Sequence, residues 1–280
     1  MINLTPPDFS FIEILKACQD NDNRVHENTF IIPRVNKKIQ ELGKLYDKYA
    51  QENNLNSCEL AHFHLDEDID YLQRLYTYRL QKKEEGRVYY EKIIDDISEF
   101  CPYCNHGAIS QVDHFLPKSL YDSFTIYPNN LVPICAVCNG VKDDYYGLEL
   151  TNNLLHPYFD DLNHSQWLFS NLRPNPQRRL IVEYICQPNP QFYNPNEIAR
   201  LINNFNKLKL NNRFKAIARS QSRQIKSNLT KVISFNSNSV KKRYIKRVIN
   251  KGISDHGPNH WNVALYQAFY SYTGDLQDFI

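Results

Sequence analysis

Two Cys-x-x-Cys pairs, CPYC at 101–104 and CAVC at 135–138, constrain what this chain can fold into more than any other feature. A structural zinc ion takes four ligands in a tetrahedron, and thiolates suit it. The alternatives are four unpaired core thiols or two redox pairs, and two redox pairs this far apart in the chain would have no shared purpose. We therefore expect a structural zinc site with four cysteine ligands: Cys101, Cys104, Cys135 and Cys138.

The remaining composition is that of an ordinary globular protein. The chain has 280 residues, enough for one or two domains, and 42% of them are hydrophobic. No stretch approaches the ~20 apolar residues of a membrane-spanning helix, and the N-terminus lacks a signal-peptide pattern. The cysteine count of seven is odd, and three cysteines are scattered, which suits a reducing compartment better than a disulfide framework. The sequence therefore predicts a cytoplasmic protein with no membrane partner.

Apolar spacing predicts helices in the first hundred residues. Hydrophobic side chains recur there every three or four positions, as on one face of a helix. Their inward faces are expected to include Leu45, Val88 and Ile97. The predicted helices are one beginning at Pro33, one over 66–85 that Gly86 ends, and one over 87–99 that leads into CPYC.

Two short β signals follow the cysteine region. WLFS (167–170) and LIVEYI (180–185) are rich in β-branched and aromatic residues, with a proline-containing turn between them. Helix is expected again from Pro195 onward. The fold class is therefore α+β, mainly α-helical, with a small motif around the cysteines and a short β-hairpin. The expected regions are an acidic helical part (1–100), the cysteine motif (101–150), a β-hairpin connector (151–195) and a basic helical part (196–280).

Charge is strongly segregated, although the net charge is only +2. Residues 197–251 contain 15 Lys and Arg against Glu197 alone, whereas residues 1–100 contain 13 basic and 19 acidic residues. Such a segment predicts a polyanion, here nucleic acid, as partner. The competing partner is an acidic protein, or the acidic N-terminal part of the chain itself. The expected phosphate contacts are Arg213, Arg219, Arg223, Lys241, Lys242 and Arg243.

Polar residues accompany the cysteines. Asp113 and His114 end a predicted strand, Asn130 precedes another, and Asn139 begins a short helix with Lys142 one turn on. Strand, loop, strand and helix would bring a carboxylate, an imidazole, two amides and an ammonium together. Each residue also has a plainer interpretation. An Asp-His pair is usually a turn or surface pair, the asparagines can close a turn or cap a helix, and the lysine can be solvated.

The stretches VDHFLPKS, NNLVPIC and CNGVK, within residues 101–146, resemble the HNH nuclease superfamily and its ββα-metal motif. The resemblance implies that His114 is the general base and that Asp113 is a metal ligand in place of the family's first histidine. It implies that Asn130 orients the catalytic histidine, and that Asn139 replaces the family's last histidine as a metal ligand. An amide binds a hard cation through oxygen only, so Mg²⁺ or Mn²⁺ is the expected catalytic ion beside structural Zn²⁺.

Phosphodiester hydrolysis fits these residues. An imidazole with a pKa of about 6.5 can take a proton from water at neutral pH. A cation held by Asp113 and Asn139 can neutralise charge on the scissile phosphate and the departing oxygen. Lys142 is expected to hold a neighbouring phosphate. The resemblance implies an endonuclease with DNA as its default substrate.

The flanking segments are similar to stand-alone bacterial HNH proteins of anti-phage defence, including the nuclease partner of an ATPase in Septu-type systems. This similarity implies an ATPase subunit as partner and an activity restrained until infection. A homo-oligomer would allow double-strand cuts. In LLHPYFDD, His156 is expected to pack against the motif. Two alternatives stay open: a non-catalytic zinc module that binds nucleic acid or protein, and a ribonuclease of the same chemistry.

Overall fold

The described residues of the computed structural model are 2–19, 32–58, 66–95, 98–147, 149–173, 177, 180–235 and 237–279. The chain divides into two compact units, Ile2–Asp161 and Leu162–Ile280. The sequence of the first contains 15 Lys and Arg against 26 Asp and Glu, and that of the second 18 against 5. The structural boundary therefore separates an acidic unit from a basic one. The finer regions expected over 1–100, 101–150, 151–195 and 196–280 stay a prediction.

The N-terminal unit (Ile2–Asp161) packs helices around a short antiparallel strand pair. In this pair Asp113 lies opposite Val132, and His114 lies opposite Leu131. The fourth helix packs against both strands, and the fifth packs against the first strand. The elements are α1 (Phe11–Gln19), α2 (Ile32–Gln51), α3 (Asp66–Arg74), α4 (Glu84–Asp95), β1 (Gln111–His114), β2 (Leu131–Ile134) and α5 (Ala136–Lys142).

Helix α2 confirms the helix predicted near Pro33, but its buried stripe differs from the expected one. The stripe passes through Gly43, and Leu45 is exposed. A Cβ atom at Gly43 would overlap the ring of Tyr127, so glycine permits the helix to approach that ring closely. Buried residues three and four positions apart form the rest of the stripe: Val35, Ile39, Tyr46 and Ala50.

The next two helices begin and end at other residues than predicted. Helix α3 continues as a π-helical turn over Leu75–Leu80, and α4 begins before Gly86 rather than after it. Gly86 lies in the first turn of α4, and a Cβ atom there would lie 2.6 Å from the carbonyl oxygen of Arg79. Glycine therefore serves close packing at this position. Val88 is exposed, contrary to expectation, and Ile97 lies outside the described residues.

The C-terminal unit (Leu162–Ile280) is built on a β-hairpin covered by helices. Both predicted strands are confirmed, with the first displaced towards the C-terminus, and Phe169 lies opposite Ile185. The last helix packs on the first strand of this hairpin, and the second helix of the unit packs on the other. The elements are β3 (Leu168–Arg173), β4 (Ile181–Cys186), α6 (Pro195–Lys207), α7 (Leu210–Ser220), α8 (Ser222–Ile233), α9 (Asn238–His256) and α10 (Trp261–Ser271).

Local sequence explains where α6 begins. The side chain of Asn194 accepts hydrogen bonds from backbone N–H groups of the first turn, and the side chain of Glu197 accepts one from the backbone N–H of Asn194. Pro195 fits the first helical position. These elements make a mainly helical α+β fold with short antiparallel strand pairs. Within the described ranges, no helix is both long and apolar enough to cross a bilayer.

A buried polar network joins α2 to the β1–β2 region. The hydroxyl of Tyr46 lies 3.2 Å from Asn130 Oδ1 and 3.0 Å from His156 Nε2. His156 Nδ1 accepts from the backbone N–H of Tyr158, so Nε2 carries the proton and donates to the Tyr46 oxygen. The His156 ring also packs on Phe115, with centroids 4.1 Å apart. His156 therefore packs against the motif, as its position in the sequence predicted.

We expect Tyr46→Phe to lower the free energy of unfolding by about 1–3 kcal/mol, because a buried N–H of His156 loses its acceptor. Urea denaturation followed by circular dichroism measures the change. Tyr78→Phe is the matched control, since Tyr78 is 56% exposed and its hydroxyl is not buried in this network. Equal stabilities for the Tyr46→Phe and Tyr78→Phe variants would contradict the assignment of this hydrogen bond.

Candidate metal centre and nucleic-acid surface

The four cysteines of the two Cys-x-x-Cys pairs come together in one buried cluster. Their sulfur atoms all lie within 4.8 Å of one another. A tetrahedral zinc ion with Zn–S bonds of 2.3 Å would place its sulfurs about 3.8 Å apart, so the arrangement suits zinc. The cluster joins the turn before β1 to the turn between β2 and α5. Its members are Cys101, Cys104, Cys135 and Cys138.

Backbone N–H groups support the cluster from both turns. Gly107 donates to the sulfur of Cys104, and Cys138 donates to that of Cys135, each over 3.4 Å. Asn105 adopts a positive φ of 48°, which lets the first turn close. Hydrogen bonds among the four thiols lower the pKa of Cys104 and Cys135, whereas burial raises that of Cys101 and hydrogen bonds raise that of Cys138. A bound metal would hold all four as thiolates.

Asp113 of β1 forms an ion pair with Lys142 of α5. The Oδ2–Nζ distance is 2.8 Å, and the side chains are 15% and 0% exposed. Lys142 Nζ also donates to the backbone oxygen of His114, over 2.8 Å. Burial raises the pKa of Asp113, and Lys142 partly offsets that effect. The lysine expected to hold a phosphate from an exposed helix is therefore buried, with its charge directed at Asp113.

His114 lies in the core, 5% exposed. Its Nε2 is 2.8 Å from the carbonyl oxygen of Thr125, and its ring centroid is 4.4 Å from that of Tyr76. A carbonyl oxygen only accepts hydrogen bonds, so Nε2 carries the proton in the neutral ring and Nδ1 carries the lone pair. Burial lowers the pKa of His114 to about 3, which keeps the ring neutral at neutral pH.

The sequence predicted that Asp113 and His114 end a strand. In the structure β1 is Gln111–His114, so they are its last two residues. Neighbours in a strand point to opposite faces. Accordingly, Asp113 contacts α5, whereas His114 contacts Tyr76 and Thr125.

Asn130 is fully buried and bonds the loop that follows His114, rather than the imidazole itself. Its Oδ1 accepts from the N–H of Leu116 over 2.8 Å. Its Nδ2 donates to the carbonyl oxygens of Leu116 and Phe124, over 3.1 and 3.2 Å. Thr125 directly follows Phe124 in this loop, and its carbonyl oxygen contacts the imidazole of His114. Any influence of Asn130 on His114 therefore passes through the loop.

Asn139 lies in the middle of α5, and its Nδ2 donates to Gln111 Oε1 over 2.7 Å. The helix begins earlier than predicted, with Cys135 as its N-cap, so the helix-cap interpretation of Asn139 is wrong. Gln111 and Asp113 are two residues apart and share a face of β1. Asn139 and Lys142 contact this face, which brings Asp113, Asn139 and Lys142 to one side of the strand.

The expected phosphate-binding residues belong to two surfaces of the C-terminal unit. Arg219 lines a cleft of about 700 Å³ formed by β4, α7 and α8, here called the α7–α8 cleft, and Arg223 is exposed nearby at the start of α8. Lys241 and Lys242 line a separate cleft at α9, and Arg243 is exposed on that helix. Arg213 is half-buried in α7. The α7–α8 cleft is lined by Lys215, Arg219, Ser222 and Lys226 over apolar Leu180, Ile181, Val182 and Ala218.

Sequence reasoning missed several residues around these sites. Lys215 and Lys226 were not singled out, although Lys215, Arg219 and Arg223 recur every four residues, as on one helix face. Tyr76 and Thr125 contact His114 from distant segments, and no local pattern marks them. The carbonyl of Thr125 acts through its backbone, which residue type does not reveal.

Fold and site together define a mainly helical protein with a buried four-cysteine cluster suited to zinc. Protein ea31 of Escherichia phage lambda is 25% identical to this chain over 290 residues, covering 95% of this chain and 96% of that protein. No family model matches the chain. No solved structure matches it.

We expect Cys104→Ser to remove the bound zinc and to destabilise the N-terminal unit, because a hydroxyl is a poor replacement for a thiolate ligand. Elemental analysis of the purified chain measures the zinc content, which should fall from about one ion per chain towards none. Cys186→Ser is the matched control, since Cys186 lies in β4 outside the cluster. Full zinc content in the Cys104 variant would contradict the four-cysteine site.

Proposed function

We propose that this protein is a metal-dependent endonuclease of the HNH type that hydrolyses phosphodiester bonds in DNA. One observation supports this best: the cysteine cluster fastens an antiparallel strand pair to the helix that follows it, the architecture expected from the HNH resemblance. Asp113, His114, Asn139 and Lys142 all lie on those elements.

Asp113 and Asn139 are the residues that would hold a catalytic Mg²⁺ or Mn²⁺. Mg²⁺ usually keeps several waters and binds one or two carboxylates together with substrate phosphates, so this small donor set fits it. The amide nitrogen of Asn139 donates a hydrogen bond to Gln111, so the amide oxygen of Asn139 is the atom suited to a cation. When bound, the ion would supply positive charge to the scissile phosphate and the departing oxygen.

His114 is the proposed general base. The Thr125 carbonyl holds Nε2–H, so Nδ1 is the atom that would accept a proton from water. The same carbonyl would stabilise the protonated ring, because the charged imidazole donates a stronger hydrogen bond. Tyr76 packs against the ring and limits its orientation. Asn130 holds the loop that contributes Thr125.

The C-terminal unit is the proposed source of affinity for DNA. Its sequence carries 18 basic residues against 5 acidic ones, whereas the unit with the proposed catalytic residues is acidic. Phosphate contacts on α7 and α8 would hold the substrate without reading its sequence. On the resemblance to Septu-type systems, a role in bacterial anti-phage defence is proposed, and an ATPase is the proposed partner.

A second candidate function is a non-catalytic zinc module that binds nucleic acid or protein. The low exposure of His114 and the pairing of Asp113 with Lys142 favour it, because both groups already have partners within the protein. Burial also lowers the pKa of His114 to about 3, which makes the imidazole a weak base, and His114 faces away from Asp113 across β1. A ribonuclease would use the same residues on another substrate. Cleavage assays separate the three functions.

We expect the purified chain to nick or linearise supercoiled plasmid with Mg²⁺ or Mn²⁺ and to leave it intact in EDTA. His114→Ala should lower the rate at least about 100-fold, because a positioned base contributes that much or more. Gel electrophoresis of timed samples measures the rate, and zinc content is compared in parallel.

His164→Ala is the control for the cleavage assay, because this histidine lies in the C-terminal unit outside the proposed site. Plasmid cleavage that persists in the His114→Ala variant would contradict the assignment of His114 as the general base. A wild-type chain silent on plasmid and on RNA, alone and with an ATPase partner, would favour the zinc-module function.

We expect Arg219→Ala with Arg223→Ala to weaken DNA binding and to reduce the slope of log affinity against log salt by about 2, since each phosphate contact contributes roughly 0.9. Fluorescence anisotropy in EDTA measures binding without cleavage. Lys37→Ala with Lys44→Ala removes the same charge from exposed positions of the N-terminal unit and should change little. Equal losses in both double variants would contradict a binding surface on α7 and α8.

A further inference from the structure

The ion pair between Lys142 and Asp113 bears on how a catalytic cation could bind. Lysine is almost never fully buried unless it is paired, and Lys142 is 0% exposed with its ammonium 2.8 Å from the carboxylate. The same ammonium donates to the carbonyl oxygen of His114. Lys142 therefore contacts both residues of the Asp-His pair, one through its side chain and the other through its backbone.

Few protein charges are available to attract a cation at Asp113. Outside the four cysteines, the described residues contain no group of three or more His, Cys, Asp or Glu side chains close enough to share an ion. The carboxylate of Asp113 is already neutralised by Lys142, and Asn139 contributes a neutral amide. A divalent cation arriving there meets an ammonium a few ångströms away. The protein alone should therefore bind the cation weakly.

A phosphodiester would change that balance. Each phosphate brings one negative charge, which can face both the cation and the ammonium. Mg²⁺ sites in proteins commonly complete their coordination with substrate phosphate. Binding of the cation and of the substrate then favour each other, and the coupling is reciprocal by thermodynamic linkage.

We propose that Lys142 is a positioning residue whose buried ammonium makes cation binding at Asp113 depend on the phosphate of the nucleic acid. This proposal rests on the proposed nuclease function. Without substrate, the lysine occupies the carboxylate and opposes the cation. With substrate, cation and phosphate bind together, and the ammonium adds to the positive charge around the phosphate. Lys142 thereby takes a role that differs from the direct phosphate contact expected of an exposed lysine.

Mn²⁺ binding tests the proposal without relying on activity. The full zinc-loaded chain carries His114→Ala in every arm so that DNA stays intact, and electron paramagnetic resonance measures free Mn²⁺ with and without a short DNA duplex. The duplex alone is titrated to subtract its own Mn²⁺ binding. We expect weak Mn²⁺ binding without DNA and binding at least about tenfold tighter with it, an effect of the size that close charges produce at a partly buried site.

Lys142→Met keeps the length of the side chain and removes its charge. It should bind Mn²⁺ at least about tenfold more tightly in the absence of DNA, because a like charge beside the site is gone, and should lose much of the enhancement by DNA. Lys142→Arg keeps the charge and should preserve weak binding and enhancement. If both variants unfold, the unmodified lysine still gives a test, because Mn²⁺ binding that DNA does not enhance overturns the proposal.

Two outcomes overturn the proposal in different ways. In the first, Asp113→Ala abolishes Mn²⁺ binding, but DNA does not enhance Mn²⁺ binding or Lys142→Met leaves the Mn²⁺ affinity unchanged. The cation site at Asp113 then stands, and the proposed role of Lys142 is wrong. If Asp113→Ala changes Mn²⁺ binding in neither condition, the cation does not bind at Asp113. In that case the metal site of the proposed function fails together with this inference.

Discussion

The four-cysteine cluster is the constraint on which the β1–β2–α5 region depends. Each strand has only four residues, and an isolated pair of that length is marginally stable in water. The cluster ties the turn before β1 to the start of α5, so it fixes one end of the strand pair, where β1 begins and β2 ends, together with the helix. A metal bound there would convert its binding free energy into stability of this region. Asp113, Asn139 and Lys142 owe their common side of β1 to that arrangement.

Buried hydrogen bonds fix the loop after β1, which lies away from the cysteine cluster. Asn130 closes the loop after β1, and Tyr46 connects Asn130 to His156 and to α2. This network has few degrees of freedom, because an unpaired polar group in it would carry a full desolvation cost. The loop it holds includes the Thr125 carbonyl that sets the tautomer of His114. The position of the imidazole is therefore determined by residues from three separate segments of the chain.

The sequence predicted the cysteine cluster, the strand that follows Asn130 and the hairpin of the C-terminal unit, because spacing and residue type express them locally. It misplaced Gly86, since the reason for that glycine is the carbonyl of Arg79 on another helix. It also expected Lys142 on an exposed helix, whereas its partner Asp113 lies 29 residues earlier in the chain. Burial of a charged residue depends on a distant partner, and periodicity cannot reveal which lysine has one. The roles of Asp113, His114, Asn130 and Asn139 stay predictions that rest on the HNH resemblance.

The distribution of charge explains why the two units would need different tasks. A unit with 26 acidic and 15 basic residues repels a polyanion, and within it the ammonium of Lys142 is already paired with a carboxylate. Under the proposed function, affinity for nucleic acid would come from the unit with 18 basic and 5 acidic residues. Because that attraction is independent of base sequence, it would not select where a cut is made. Under the proposed role of Lys142, hydrolysis would begin only when a phosphate and a cation bind together at Asp113, so the Asp113–Lys142 pair would restrain hydrolysis until then.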